Sequence, residues 1–235
     1  MNYLNKEQLD ELAQFDTPTV CNALEKFNLR PKTEGFTSPV IRSIFPDRKP
    51  LVGYACTAKI SASVPGTKAN EEILYQYYQS IKDCPSTPIS VIQDLDEECV
   101  GSFWGEVQTT VHKALGCMGV ITDGGVRDLD EAHELGFSYF ASCVLVSHAY
   151  IHMEETNTAV EIAGLTVHPG DLLHADKHGA VVIPHEVAHL VAAACTQMQD
   201  AEMPVLNGCR ATEDGTLDIE KLKIWRKEMA SLRNK

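Results

Sequence analysis

The chain has 235 residues, 44% of them hydrophobic, and its 20 basic against 33 acidic residues give a formal net charge of −13. That length supports one substantial core or at most two small domains. The acidic balance argues against a nucleic-acid partner, which needs a basic face, and repels anionic substrates unless local donors collect them. No apolar run is long enough to span a membrane, so no membrane partner is expected. The charged, amphipathic start MNYLNKEQLDELAQF is not a secretory signal, and eight scattered cysteines without a CxxC pair read as free or buried thiols in a reducing cytoplasm.

Lys6 to Phe15 and Thr17 to Phe27 read as two helices, with Asp16 or Thr17 capping the second and Pro18 in its first turn. Residues 28–50, rich in Pro, Arg and Thr, read as a surface connection. Leu51 to Ser61 predicts a strand on which Val52, Tyr54, Cys56 and Ala58 alternate. Thr67 to Lys82 has helical periodicity through Ile73, Leu74, Tyr77 and Ile81. A short strand, Pro88 to Gln93, precedes the acidic run Asp94 to Glu98, which lacks the glycine and spacing of a calcium loop. Trp104, Val107, Val111 and Leu115 then recur at helical spacing, and Gly116 is a helix stop. Met118 to Thr122 has the length of a buried strand, and Asp123-Gly124-Gly125 is a turn whose tandem glycines allow positive φ.

A second helix starts near Asp128, and Phe137 to Ala141 is the next strand. From Ala159, the stretch AVEIAGLTVHPGDLLHADKHGAVVIP predicts a meander of short strands, with His174 and His178 flanking a hairpin turn at the surface. Helices from His185 to about Met203 and from Leu217 to Leu232 close a single domain of helices and a mixed sheet in layers.

The strand end followed by a glycine turn is where α/β proteins place ligands. Arg127 can clamp a carboxylate with two parallel hydrogen bonds, and Asp128 is a hard oxygen ligand for Mg²⁺ or Mn²⁺. Together they suit a small 2-oxo acid chelated to a divalent cation. The plainer reading is an adjacent pair that braces a turn and caps a helix. Glu106 likewise is either part of this site or a solvated acid favoured in a helix's first turn, and Asp123 and Glu131 are ordinary turn and helix acids. His185-Glu186-Val187-Ala188-His189 matches the H-E-x-x-H pattern of zinc hydrolases, but no third ligand is identifiable, and two surface histidines on a helix explain it as well.

The segments FWGE, ALGCMGVITDGGVRD, GFSYFA and PGDLLHADKHGAVVIP resemble the RraA-like family over about residues 17–203. That family includes 4-hydroxy-4-methyl-2-oxoglutarate / 4-carboxy-4-hydroxy-2-oxoadipate aldolases, which also decarboxylate oxaloacetate, and the regulator of ribonuclease E activity, a protein inhibitor. The resemblance implies an α/β fold, a layered β/β/α sandwich of the phosphohistidine swivelling-domain-like type with a mixed sheet and flanking helices. It also implies trimers, sometimes paired into hexamers, with sites at subunit interfaces. In the aldolases an acid is followed, after twenty intervening residues, by Arg-Asp, the spacing of Glu106 and Arg127-Asp128 here. By resemblance, Asp128 ligates Mg²⁺ or Mn²⁺ and Arg127 holds the substrate carboxylate with the amides of Val107 and Gln108. Glu106 orients or deprotonates a water on the metal, and a late acid from the neighbouring subunit, placed at Glu202, completes the site. The function implied is a metal-dependent lyase that releases pyruvate from a 4-hydroxy-2-oxo acid; the alternative is a non-catalytic regulator of a ribonuclease. Glu stands at 106 where the family often has Asp, and PISVIQDLDEE replaces the usual Gly-Asp-Val-Leu-Val-Val-Asp strand, which suggests a subgroup with its own substrate.

Overall fold

The two N-terminal helices start where their caps stand. In the computed structural model, which describes residues 3–233 and so leaves Met1 and Asn2 of the amphipathic start outside, α1 (Lys6–Leu12) is closed by a capping box between Asn5 and Gln8. Asp16 caps α2 (Thr17–Leu24) by accepting the Thr19 amide, with Pro18 in the first turn. The first helix stops short of the expected end at Phe15, whereas the second continues as a 3-10 turn, Glu25–Phe27, to its expected end. The chain continues through β1 (Arg42–Ser43), β2 (Leu51–Ser61), α3 (Lys68–Lys82), β3 (Pro88–Asp94), α4 (Glu106–Ala114), β4 (Gly119–Thr122) and β5 (Gly125–Val126). After these come α5 (Leu129–Glu134), β6 (Ser138–Ala141), β7 (Cys143–Val144), β8 (His152–Thr156), β9 (Val160–Ile162), β10 (Leu165–Val167), β11 (Leu172–Asp176) and β12 (Gly179–Ile183). Two helices, α6 (Ala188–Arg210) and α7 (Ile219–Arg233), end the chain.

The main sheet runs in the order β1-β6-β4-β3-β2-β11-β12, and β8 pairs with the C-terminal half of β2. Neighbours among β2, β3, β4 and β6 are parallel; β1, β8, β11 and β12 join antiparallel. The alternation expected on β2 is not a buried–exposed alternation, because Leu51 to Ala58 are all buried. A central strand covered on both faces needs apolar residues on both. Val52 and Tyr54 pack with α1, α2 and α6, while Cys56, Ala58 and Ile60 pack with residues of α3 and of the segment around α5. Leu51 and Ala55, of opposite parity, pack with the β9–β10 hairpin. Helices, mixed sheet and hairpin therefore form the layered α/β arrangement that the resemblance implies.

Two expectations need correction, and one strand is added. His174 is not at the surface: it is fully buried between β11 and the N-terminal helices, with Nδ1 2.9 Å from Thr17 Oγ1 and Nε2 3.3 Å from the Leu12 carbonyl. The helix expected from His185 starts at Ala188 and continues through Pro204 to Arg210. α7 packs along it, with Trp225 lying against Gly208, where a side chain would collide with the indole ring. β8, absent from the elements that the sequence predicts, extends the sheet beside β2. Among the described residues no helix is long and apolar enough to cross a membrane.

Candidate active site

β4 ends at Thr122, whose hydroxyl accepts the Gly124 amide at 3.0 Å and starts the turn. Neither Gly124 nor Gly125 takes positive φ; that conformation falls instead on Asp128, at φ 52°. The glycines serve close approach. A Cβ on Gly125 would lie 2.5 Å from Leu145, and one on Gly124 would lie 3.1 Å from the Asp94 carboxylate.

The segment that follows is stapled on both sides. Ser102 Oγ donates to the Gly125 carbonyl at 2.8 Å, the Arg127 amide donates to the Trp104 carbonyl at 3.1 Å, and the Leu145 amide donates to the Val126 carbonyl at 2.9 Å. Trp104 therefore lies extended against Val126 and is not the first residue of α4. The helical stripe read from Trp104 and Val107 also turns over: Val107 is 74% exposed, and α4 buries Thr109 and His112. Thr109 meets the Tyr139 hydroxyl at 2.5 Å, and His112 sits among Tyr77, Tyr78, Phe103 and Trp104. Burial pulls the His112 imidazole down to about 4 and pushes the Tyr139 hydroxyl up to about 12.

This packing brings the start of α4 against Arg127 and Asp128. The Asp128 Oδ2 accepts the Glu106 amide at 2.8 Å, so the carboxylate caps α4 from across the turn. Gly105 makes the approach feasible. A Cβ there would lie 2.6 Å from Asp128 Oδ2 and 3.2 Å from Arg127 Nε. Arg127 Nε is buried without a hydrogen-bond partner. The amides of Val107 and Gln108, free in the first turn of any helix, have no acceptor among the described residues, and the Tyr78 hydroxyl fixes Gln108 by donating to its side chain at 2.6 Å. Glu106 is exposed at the same helix end. One end of α4 thus collects a guanidinium, two amides and two acids on a chain that is otherwise strongly acidic.

Glu202 is not brought to this turn in its own chain. It lies on α6, where Arg233 donates to it at 2.5 Å. Glu131 is an exposed acid on α5. Asp123 is more than a turn residue: it accepts the Asp94 amide at 2.8 Å, and burial pushes its carboxyl up to about 6. The acidic run is structural in part, because Asp96 accepts from the Ala62 and Ser63 amides and from Ser61 Oγ. The H-E-x-x-H segment does not form a zinc site. His185, Glu186 and Val187 make a turn before α6, and the His185 ring stacks on Tyr54. No group of three or more His, Cys, Asp or Glu able to hold a metal forms among the described residues. Gly105, Ser102 and Tyr78 were not legible as site residues, since their roles come from contacts distant in sequence.

The donor set fits a divalent cation of the hard-oxygen kind. Asp128 Oδ2 is held by the Glu106 amide, which orients the carboxylate and leaves Oδ1 clear of protein donors. Mg²⁺ keeps most of its waters and is commonly bound by one or two carboxylates together with its substrate, so a three-ligand protein cage is not required.

The chain is similar to several known proteins. A family model described as RraA-like, Aldolase/RraA, matches residues 17–182. An uncharacterized protein of Methanocaldococcus jannaschii is 30% identical over 168 residues, which cover 70% of this chain and 76% of that protein. A Halalkalibacterium halodurans protein, provisionally named 4-hydroxy-4-methyl-2-oxoglutarate aldolase, is 24% identical over 77% of this chain and 80% of its own. The crystal structure of Streptomyces coelicolor RraAS2, called an unusual member of the RNase ES inhibitor RraA protein family, superposes with a TM-score of 0.70 at 19% identity. That match covers 90% of this chain and all of RraAS2, and it establishes the shared fold.

Proposed function

The chain belongs to the RraA-like family, and from that membership we propose that it is a divalent-metal-dependent lyase. Its substrate is a 4-hydroxy-2-oxo acid of the 4-hydroxy-4-methyl-2-oxoglutarate type, cleaved to pyruvate and a second carbonyl compound. The family holds aldolases and ribonuclease E inhibitors alike. The observation that carries the enzymatic reading is the meeting of Arg127, the Val107 and Gln108 amides and the Asp128 carboxylate at one helix end, with Arg127 Nε buried and unpartnered. A surface that only docks a protein has no need of a buried donor left open.

Arg127 and the two amides would bind the substrate carboxylate and set its orientation. Asp128 would hold Mg²⁺ or Mn²⁺ through Oδ1. When bound, the cation would supply Lewis acidity toward the 2-oxo group, stabilising the electron pair left on the pyruvyl fragment. Glu106 would take up, through water, the proton of the 4-hydroxyl as that carbon becomes a carbonyl and its bond to C3 breaks. Loss of CO₂ from oxaloacetate leaves the same electron pair and needs no such base, so decarboxylation follows as a side activity. The turn is open on the single chain, as a site completed by a neighbouring subunit of a trimer or hexamer would be. Glu202 of such a neighbour could contribute only after releasing Arg233.

The test is pyruvate release from oxaloacetate and from 4-hydroxy-4-methyl-2-oxoglutarate with Mg²⁺, with Mn²⁺ and with EDTA. Release above the spontaneous rate, abolished by EDTA, is expected. No release with either metal, together with capture of ribonuclease E by the immobilised protein, would replace the lyase with the regulator.

A further inference from the structure

Cys56 and Cys84 stand far apart in sequence and share one cleft of about 430 Å³, lined also by Gln79, Ser80, Asp83 and Asn157. Cys56 lies in the middle of β2 and is 6% exposed, whereas Cys84 follows α3 and is half-buried at the cleft wall. The Cys56 thiol donates to the Ser80 carbonyl at 4.0 Å, and the group that acts on it most strongly is the Cys84 thiol lining the same cleft. The neighbouring Cys56 thiol, helped by the Ser86 amide, outweighs burial and draws the Cys84 thiol down to about 7. Cys56 moves far upward, because Cys84 and burial both hold its proton. Elsewhere burial dominates, and the Cys117, Cys99 and Cys195 thiols are pushed up to about 11, 12 and 12. A thiol with substantial thiolate at neutral pH, reachable from a cleft that a second thiol also lines, is the arrangement that oxidises selectively.

We propose that Cys84 and Cys56 form a peroxide-sensitive dithiol, with Cys84 the accessible nucleophile and Cys56 the buried resolving thiol. The oxidant is hydrogen peroxide. The Cys84 thiolate attacks one peroxide oxygen, the O–O bond breaks, and hydroxide leaves; Cys84 becomes a sulfenic acid as the peroxide is reduced. Cys56 then attacks that sulfur, an S–S bond forms, and the displaced hydroxide leaves as water with the Cys56 proton. The product ties β2 to the C-terminal end of α3. This chemistry is independent of the metal site, and the absence of a CxxC pair hid it from the sequence.

The experiment treats the reduced full chain with hydrogen peroxide, alkylates the remaining thiols and maps the peptides by mass. A Cys56–Cys84 linked pair that dithiothreitol releases is expected. On the untreated chain, Cys84 should alkylate about tenfold faster than half-buried Cys209 at neutral pH, with a rate that is half-maximal near pH 7. Cys56→Ser should leave a sulfenic acid on Cys84 that dimedone traps, and Cys84→Ser should abolish both the fast thiol and the linked pair. The proposal is overturned if Cys84 labels no faster than Cys209, or if peroxide carries Cys84 to sulfinic acid in the unaltered chain while Cys56 stays free. Both of these readings come from the natural sequence, so a variant that fails to fold does not blunt them.

Discussion

The cluster around β11 and the cluster at the start of α4 use similar polar side chains, and they differ in what they leave unpaired. At β11, both nitrogens of His174 are bonded, and Asp176 accepts the Thr17 amide at 3.1 Å and the His178 amide at 2.9 Å. At α4, Arg127 Nε, Trp104 Nε1 and His112 Nε2 are buried without partners, and Asp128 holds the left-handed conformation. A polar group taken from water without a partner costs free energy, so a closed network serves the fold and an open one is a candidate for taking a ligand. Strain at Asp128 points the same way, since non-glycine residues with positive φ collect at functional turns.

The largest effect should come from removing charge at the open cluster. Asp128→Asn keeps a side chain that tolerates the left-handed region and can still accept the Glu106 amide. Metal-dependent pyruvate release should fall by about a thousandfold with an unchanged melting temperature. Retained turnover would make this turn as structural as the one at β11. Asp176→Ala breaks the closed cluster instead. It should lower stability in urea by about 3 kcal/mol and leave kcat/KM of the folded protein intact. A matching loss of kcat/KM would show that the two clusters are coupled.

The smallest effect is a pH slope. His112 titrates near 4 in the folded chain against an ordinary 6.5, because burial disfavours its charged form. The unfolded chain therefore takes up a proton that the native state refuses as the pH falls between those values. The stability contribution is full above pH 6.5 and is lost on the way down to pH 4, by up to about 3 kcal/mol. His112→Phe should flatten that part of the stability–pH curve measured by urea unfolding. An unaltered slope would mean that His112 titrates alike in the folded and unfolded chains, and that the α4 cluster is less dry than its packing indicates.

Much of the architecture was legible from local signals. Asn5 with Gln8, and Asp16 ahead of Pro18, mark helix starts because a cap acts on amides only a few residues away. The runs at β3 and β4 are short and apolar because strands covered on both faces must be. Arg127 and Asp128 stood out because their chemistry and their place after a strand and a glycine turn are both written in the chain.

What tertiary structure decided lies beyond the reach of periodicity. Val107 and His112 occupy the same helix, and only the elements packed against α4 determine that the valine faces solvent and the histidine the core. Asp128, and neither Gly124 nor Gly125 before it, takes the positive φ because its carboxylate is drawn back to the Glu106 amide past Gly105. His174 is buried because Thr17 and Leu12 arrive from the other end of the chain. Residue type and spacing determine which groups can donate, accept or titrate; contacts between distant segments determine which of them the folded protein leaves free to act.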